Sequence, residues 1–286
     1  MTTGDDRRTL VSAAWLAQHQ DDPDLRVIDG SWHMPGSGRD ARAEFEAAHV
    51  PGARFFDIDE IADLRSDLPH MAPTPEKFAS RMRAMGVGDG HQVVVYDQTG
   101  IFSAPRVWWT FRLMGHRDVA VLDGGLPAWR AAGGAVTDAP APLRERHMTV
   151  RREPARVADV TEVARAAKLG TAVILDARAP ARFRGEAPEP RPGLRPGHVP
   201  GSRNLWYAEL LNPDGTMKAP EALRAALAAA GVVPGRPVIT TCGSGITAAI
   251  LSLALERAGR SDHALYDGSW AEWGGYADLP VATGEG

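Results

Sequence analysis

A single cysteine, Cys242, stands among 286 residues. An intramolecular disulfide is therefore excluded, a thiolate zinc site lacks its ligands, and nothing calls for an oxidising compartment. Long apolar runs are missing too: no stretch of about 18 hydrophobic residues offers a membrane span, and the opening Met1-Thr2-Thr3-Gly4-Asp5-Asp6-Arg7-Arg8 is polar rather than leader-like. Charge of one sign is not in excess. A net charge of −4 gives no basic footprint for nucleic acid or an anionic membrane, so neither is expected as a partner. The pieces Gly36-Ser37-Gly38 and Gly86-Val87-Gly88 fall short of a dinucleotide-binding fingerprint. No cofactor and no metal are expected, and the cytoplasm is the default location.

What the chain does contain, it contains twice. Leu25-Arg26-Val27-Ile28-Asp29-Gly30 followed by His49-Val50-Pro51-Gly52 is answered by Val173-Ile174-Leu175-Asp176-Ala177-Arg178 followed by His198-Val199-Pro200-Gly201. Val93-Val94-Val95-Tyr96-Asp97 is answered by Val238-Ile239-Thr240-Thr241-Cys242, and Asp123-Gly124-Gly125 by Asp267-Gly268-Ser269. The spacing drifts only from 149 residues (His49 to His198) to 145 (Asp97 to Cys242) and 144 (Asp123 to Asp267). At such a period each copy is a whole domain and not a solenoid repeat. The expected division is a domain over 1–135, a Pro- and charge-rich linker over 136–154 and a second domain over 155–286. Short β-branched runs alternate with helical stretches such as 76–85 and 221–230, which predicts α/β domains with a mostly parallel central sheet flanked by helices.

The two copies differ at one telling position. Cys242 ends the apolar run 238–241 and opens Gly243-Ser244-Gly245-Ile246-Thr247-Ala248, beyond which a helix-like segment begins. Glycines let backbone N–H groups converge, and a helix N-terminus adds roughly half a positive charge, so a thiolate or bound anion is favoured there. Sites in such sheets lie beyond the C-terminal ends of strands. The matching residue in the first copy is Asp97, which cannot serve as a sulfur nucleophile, so the first domain is expected to be catalytically silent. Cysteine phosphatase chemistry requires Cys-x5-Arg, and the Arg position is held by Ala248. His49 and His198 occupy equivalent places in both copies, which points to turn capping and not to chemistry.

The two-copy layout, the His-Val-Pro-Gly motifs, the Cys242 loop and Tyr266-Asp267-Gly268-Ser269-Trp270-Ala271-Glu272-Trp273 together resemble the tandem-domain rhodanese-like sulfurtransferases, over essentially the whole chain. Within that family the loop is similar to that of 3-mercaptopyruvate sulfurtransferases. Thiosulfate sulfurtransferases typically carry Arg and Lys right after the Cys, where this chain has Gly243 and Ser244.

The resemblance implies that Cys242 accepts sulfur from 3-mercaptopyruvate as a persulfide while pyruvate leaves, with the amides of Gly243, Gly245, Ile246 and Thr247 around the anionic sulfur. A carboxylate-bearing ketone calls for a planar cationic fork. By likeness to the family's Arg-Phe-Arg-Gly and Glu-Pro-Glu-Pro-Arg pattern, that role falls on Arg182 and Arg191, leaving Arg178 and Arg184 as solvated surface charges. A Ser–His–Asp relay carried over from the same relatives falls on Ser244, His70 and Asp59, with Asp63 and Asp67 competing for the carboxylate role. Implied acceptors are a small thiol, thioredoxin or cyanide. Two other readings are a thiosulfate:cyanide sulfurtransferase and, from a different class, a non-catalytic sulfur-binding module.

Overall fold

The computed structural model describes residues 4–286, which gather into two compact units. The first takes the described residues up to 63 with Ala72–Glu153 and Leu211–Met217; the second takes Leu64–Met71, Pro154–Leu210 and Lys218–Gly286. Each unit thus includes a short stretch from the other sequence copy.

In the first unit the strands are β1 (Leu10–Val11), β2 (Leu25–Asp29), β3 (Arg54–Phe55), β4 (Gln92–Tyr96) and β5 (Val119–Leu122). In the second they are β6 (Val157–Ala158), β7 (Val173–Asp176), β8 (Arg203–Asn204), β9 (Val238–Thr241) and β10 (His263–Tyr266). The sheet orders are β1-β5-β4-β2-β3 and β6-β10-β9-β7-β8, the same arrangement in both copies. All neighbours run parallel. Parallel sheets are covered on both faces, and the continuous apolar run of β4 and the Val-Ile-Thr-Thr of β9 are accordingly buried at every position.

Helices α1 (Ala13–His19), α2 (Ala41–Ala47), α3 (Pro75–Ala84), α4 (Ala104–Leu113) and α5 (Gly125–Ala131) serve the first sheet. Their counterparts are α6 (Val160–Leu169), α7 (Pro180–Phe183), α8 (Pro220–Ala229), α9 (Ala248–Arg257) and α10 (Ser269–Trp273). The helices expected over 76–85 and 221–230 are α3 and α8. Both open on a proline in the first turn, where the missing N–H costs nothing. One core in each unit packs a helix against the sheet: Leu16, Val94, Leu122 and Trp129 in the first, Val163, Ile239, Tyr266 and Trp270 in the second.

The stretch after α5 lies along the first unit. His49 and Thr137 bridge, Thr149 bonds the Asp89 carboxylate, and the N–H groups of Arg151 and Glu153 donate to Met114 and Leu113. The paired histidines satisfy backbone groups as expected. His49 bonds the carbonyls of Phe45 and Ala139, and His198 bonds that of Phe183 while stacking on its ring. No helix among the described residues is long and apolar enough to cross a membrane.

Candidate active site

The order β6-β10-β9-β7-β8 places a topological switch point between β9 and β7, because the chain moves one way from β7 to β8 and the other from β9 to β10. Ligands in doubly wound sheets bind outside the carboxyl ends of the strands at such a point. Cys242 follows the end of β9, and Arg178 and Arg182 follow the end of β7.

Cys242 is buried, at 2% exposure, and its backbone is gripped by the start of α10. The Trp270 N–H donates to the Cys242 carbonyl (3.0 Å), the Ala271 N–H to the Gly243 carbonyl (2.9 Å), and the Cys242 N–H donates to Ser269 Oγ (3.3 Å). Ser269 Oγ–H in turn donates to the Tyr266 carbonyl (2.8 Å). Ser269 itself has φ +50, a left-handed conformation that a non-glycine residue adopts at a cost. Its counterpart Gly125 has φ +57, and the Leu126 N–H donates to the Asp97 carbonyl as that of Trp270 does to Cys242. The loop continues through Ser244 and Ile246, both buried, and Gly245, at φ +80. Thr247 then leads into α9, an almost wholly buried helix. Loop amides and a buried helix N-terminus together favour negative charge at the thiol end.

The arginines divide sharply. Arg178, expected at the surface, is instead 2% exposed. It bonds both Asp176 oxygens, the Gly197 carbonyl and Glu189 Oε1, with its guanidinium over the Trp270 ring. Burial opposes its charge, but Asp176 and Glu189 outweigh that and hold its pKa above the ordinary arginine value. The expectation of a solvated charge fails because a strand-end carboxylate two residues earlier supplies a buried partner. Arg184 pairs with Glu186 near the surface.

Arg182 is a fifth exposed, and its Nε and Nη2 donate to Glu189 Oε1 (3.3 Å) and Oε2 (2.6 Å). Its Nη2 lies 3.0 Å from where a Cβ on Gly243 would stand, so the guanidinium rests directly against the cysteine loop. Arg191, half-buried, donates from Nη2 to His70 Nε2 (3.1 Å). That bond makes Nε2 an acceptor and places the ring proton on Nδ1. His70 is buried and takes φ +62, an uncommon conformation that concentrates at functional sites.

The second unit thus holds Cys242 with its loop, Ser244, Arg182, Arg191 and His70. Asp59 belongs to the first unit, where its Oδ2 accepts from Trp32 Nε1 (3.0 Å). Sequence reasoning missed Glu189 and Ser269. The signal for Ser269 was present, since the motif Asp-Gly-Gly of the first copy becomes Asp-Gly-Ser only in the copy with the thiol.

The first unit shows what the same loop does without sulfur. The Asp97 carboxylate turns back into its own loop, where Oδ2 accepts from the N–H groups of Phe102, Ser103 and Ala104 (2.8–2.9 Å) and Oδ1 from the N–H and hydroxyl of Thr99. The cradle at the start of α4 is an anion site filled from within.

Two α/β units of one topology, each with a glycine-bearing turn between the central strand and a buried helix, define a duplicated domain with a thiol in only one copy. The chain belongs to the rhodanese-like family: the family's rhodanese-like domain matches residues 12–132 and again 159–275. It is 44% identical over 273 residues to the 3-mercaptopyruvate sulfurtransferase of Escherichia coli K12, covering 95% of this chain and 97% of that protein. It is also 40% identical over 273 residues to a thiosulfate sulfurtransferase of Cricetulus griseus, covering 93% and 92%. Among solved structures, SseA from Escherichia coli, described as a 3-mercaptopyruvate sulfotransferase of rhodanese fold, superposes with a TM-score of 0.84 at 41% identity, over 92% of this chain and 99% of that one.

Proposed function

We propose that this chain is a sulfurtransferase that takes sulfur from 3-mercaptopyruvate and passes it to a thiol, thioredoxin or cyanide acceptor through a persulfide on Cys242. In the first half-reaction the Cys242 thiolate attacks the donor's sulfur. An S–S bond forms and the C–S bond breaks. The bonding pair goes to the methylene carbon, so the departing group is the enolate of pyruvate, which takes up a proton at carbon. Arg182 and Arg191 hold the carboxylate and carbonyl, and the amides of Gly243, Gly245, Ile246 and Thr247 stabilise the anionic outer sulfur. In the second half-reaction the acceptor attacks that outer sulfur and Cys242 leaves as the thiolate. Ser244 and His70 move protons, with Asp59 as the relay's carboxylate. A cytoplasmic location goes with this reading, since reducing conditions keep thiol acceptors available.

One observation carries the choice of donor: the guanidinium of Arg182 rests against Gly243, next to Cys242 in the chain, with its Nη2 3.0 Å from where a Cβ on Gly243 would stand. A carboxylate donor finds its counter-charge there, whereas a loop charge suited to a small dianion is absent. The test is mass spectrometry of donor-treated protein beside initial rates of pyruvate release from 3-mercaptopyruvate and thiocyanate formation from thiosulfate with cyanide. The expected result is a gain of one sulfur on Cys242, faster pyruvate release, and loss of both in Cys242→Ser. A Cys242 that stays unmodified after pyruvate release from the donor in the absence of acceptor would refute the persulfide, and faster thiocyanate formation would reverse the donor.

A further inference from the structure

Glu189 lies between two arginines that have different needs. Arg178 already has its counter-charge: Asp176 receives its Nε and Nη2, and the Gly197 carbonyl takes a further bond. Arg182 has Glu189 for its counter-charge, through two bonds along the Nε–Nη2 edge. The Glu189 side chain is 2% exposed, so the pair is shielded from water and its geometry is stiff. A guanidinium held by that edge keeps one Nη2 hydrogen and both Nη1 hydrogens for another ligand. Those remaining donors belong to the end of the guanidinium that rests against Gly243.

We infer that Glu189 is the positioning residue for the donor's carboxylate: it aims the Nη1–Nη2 end of Arg182 at the cysteine loop, and Gly243 keeps the space for it. This rests on the reading of Arg182 as a donor-binding residue. Glu189 itself touches neither donor nor sulfur, so its removal should act on donor binding and only through Arg182. Position 243 acts from the opposite side, because a Cβ there meets Arg182 Nη2 at 3.0 Å, tighter than nine in ten real Cβ contacts, so the guanidinium would have to give by a few tenths of an ångström.

The test is a double-mutant cycle on the full chain, read as KM and kcat for pyruvate release from 3-mercaptopyruvate. Glu189→Gln keeps the shape and the bond to Arg178 while removing the charge that holds Arg182. Its KM is expected to rise about 10- to 100-fold, the worth of one charged hydrogen bond, with the larger effect in KM and not in kcat. Gly243→Ala should raise KM in the same sense. In an Arg182→Ala background the effect of Glu189→Gln on KM should vanish, because the residue it positions is gone. A purely structural Glu189 would lower stability while leaving KM alone, or would add its full effect to that of Arg182→Ala; either result overturns the inference. If Arg182→Ala by itself leaves KM unchanged, the donor-site reading fails, and Glu189 loses its proposed role with it. Should Glu189→Gln fail to fold, Gly243→Ala alone and in the Arg182→Ala background decides by the same criterion.

Discussion

Ser269 is the residue whose replacement discriminates most sharply between packing and positioning. It begins α10, is fully buried, and holds the Cys242 N–H on a hydroxyl that also donates to Tyr266, all from a left-handed backbone. In an ordinary helix position Ala is more stable than Gly by about 1 kcal/mol. Here that order should reverse. Ser269→Ala keeps the backbone strain of about 1–2 kcal/mol and strands a buried donor, which costs about 1–3 kcal/mol. Ser269→Gly loses the same bonds but relieves the strain, as Gly125 does in the first copy, against an entropic cost of about 0.5–1 kcal/mol. The expected order of stability is wild type, then Gly, then Ala, with Ala about 1–3 kcal/mol below wild type. Urea denaturation followed by tryptophan fluorescence reads the order, since Trp270 and Trp273 sit in the same helix. Hydrogen exchange of a peptide spanning 242–247 reads the freed Cys242 amide. If Ala proves more stable than Gly, or the amide stays protected in both variants, Ser269 does not hold the cysteine backbone.

Two further outcomes follow from the first unit. Asp97→Asn leaves one of its buried amide or hydroxyl donors facing an NH2 group, and loss of charge-assisted bonds should destabilise that unit by about 2–3 kcal/mol; a change below about 0.5 kcal/mol in denaturant unfolding would mean the cradle does not need its anion. Asp29 is buried, and desolvation raises its pKa from 3.8 to about 6 against hydrogen bonds from Ser31 and Tyr96. A folded-state value above the unfolded one means stability is greatest below about pH 4 for this group and is lost as pH rises through about 6, by up to about 3 kcal/mol. Asp29→Asn should flatten that part of the stability–pH curve, and an unchanged slope would assign it to other groups.

The sheet and the cysteine loop after β9 were legible because their signals are local. Val93-Val94-Val95 and Val238-Ile239 are short β-branched runs between helical stretches, and a Cys opening a glycine turn has few bland explanations. The duplication added a second reading of every element, so that Asp97 stood out as the residue at the cysteine position of the first copy. Burial of charge was not legible. Arg178 and Arg182 sit four residues apart in one Arg-rich segment, yet one is sealed on Asp176 under a wall of Trp270 and the other reaches the cysteine loop. Only the direction of each side chain separates them, and that depends on Glu189, which sequence spacing treats as one more surface carboxylate. Ser269 was hidden for a related reason: a left-handed serine has no sequence signature apart from the glycine at the same place in the other copy.

The two copies also differ in the charge at the same strand end. Asp29 and Asp176 occupy the same strand end, and each carboxylate receives the N–H of the second residue after it, Ser31 or Arg178. In the second unit that residue is an arginine, so Asp176 is matched by a cation and anchors a chain of charges through Glu189 to Arg182. In the first unit the residue is a serine, Asp29 meets only neutral donors such as Ser31 and Gln98, and its pKa rises toward neutrality. The loop beside it changes in the same direction. Converging amides at a buried helix end favour an anion; in the first unit the Asp97 side chain takes their hydrogen bonds, whereas the second has the Cys242 thiol in that place.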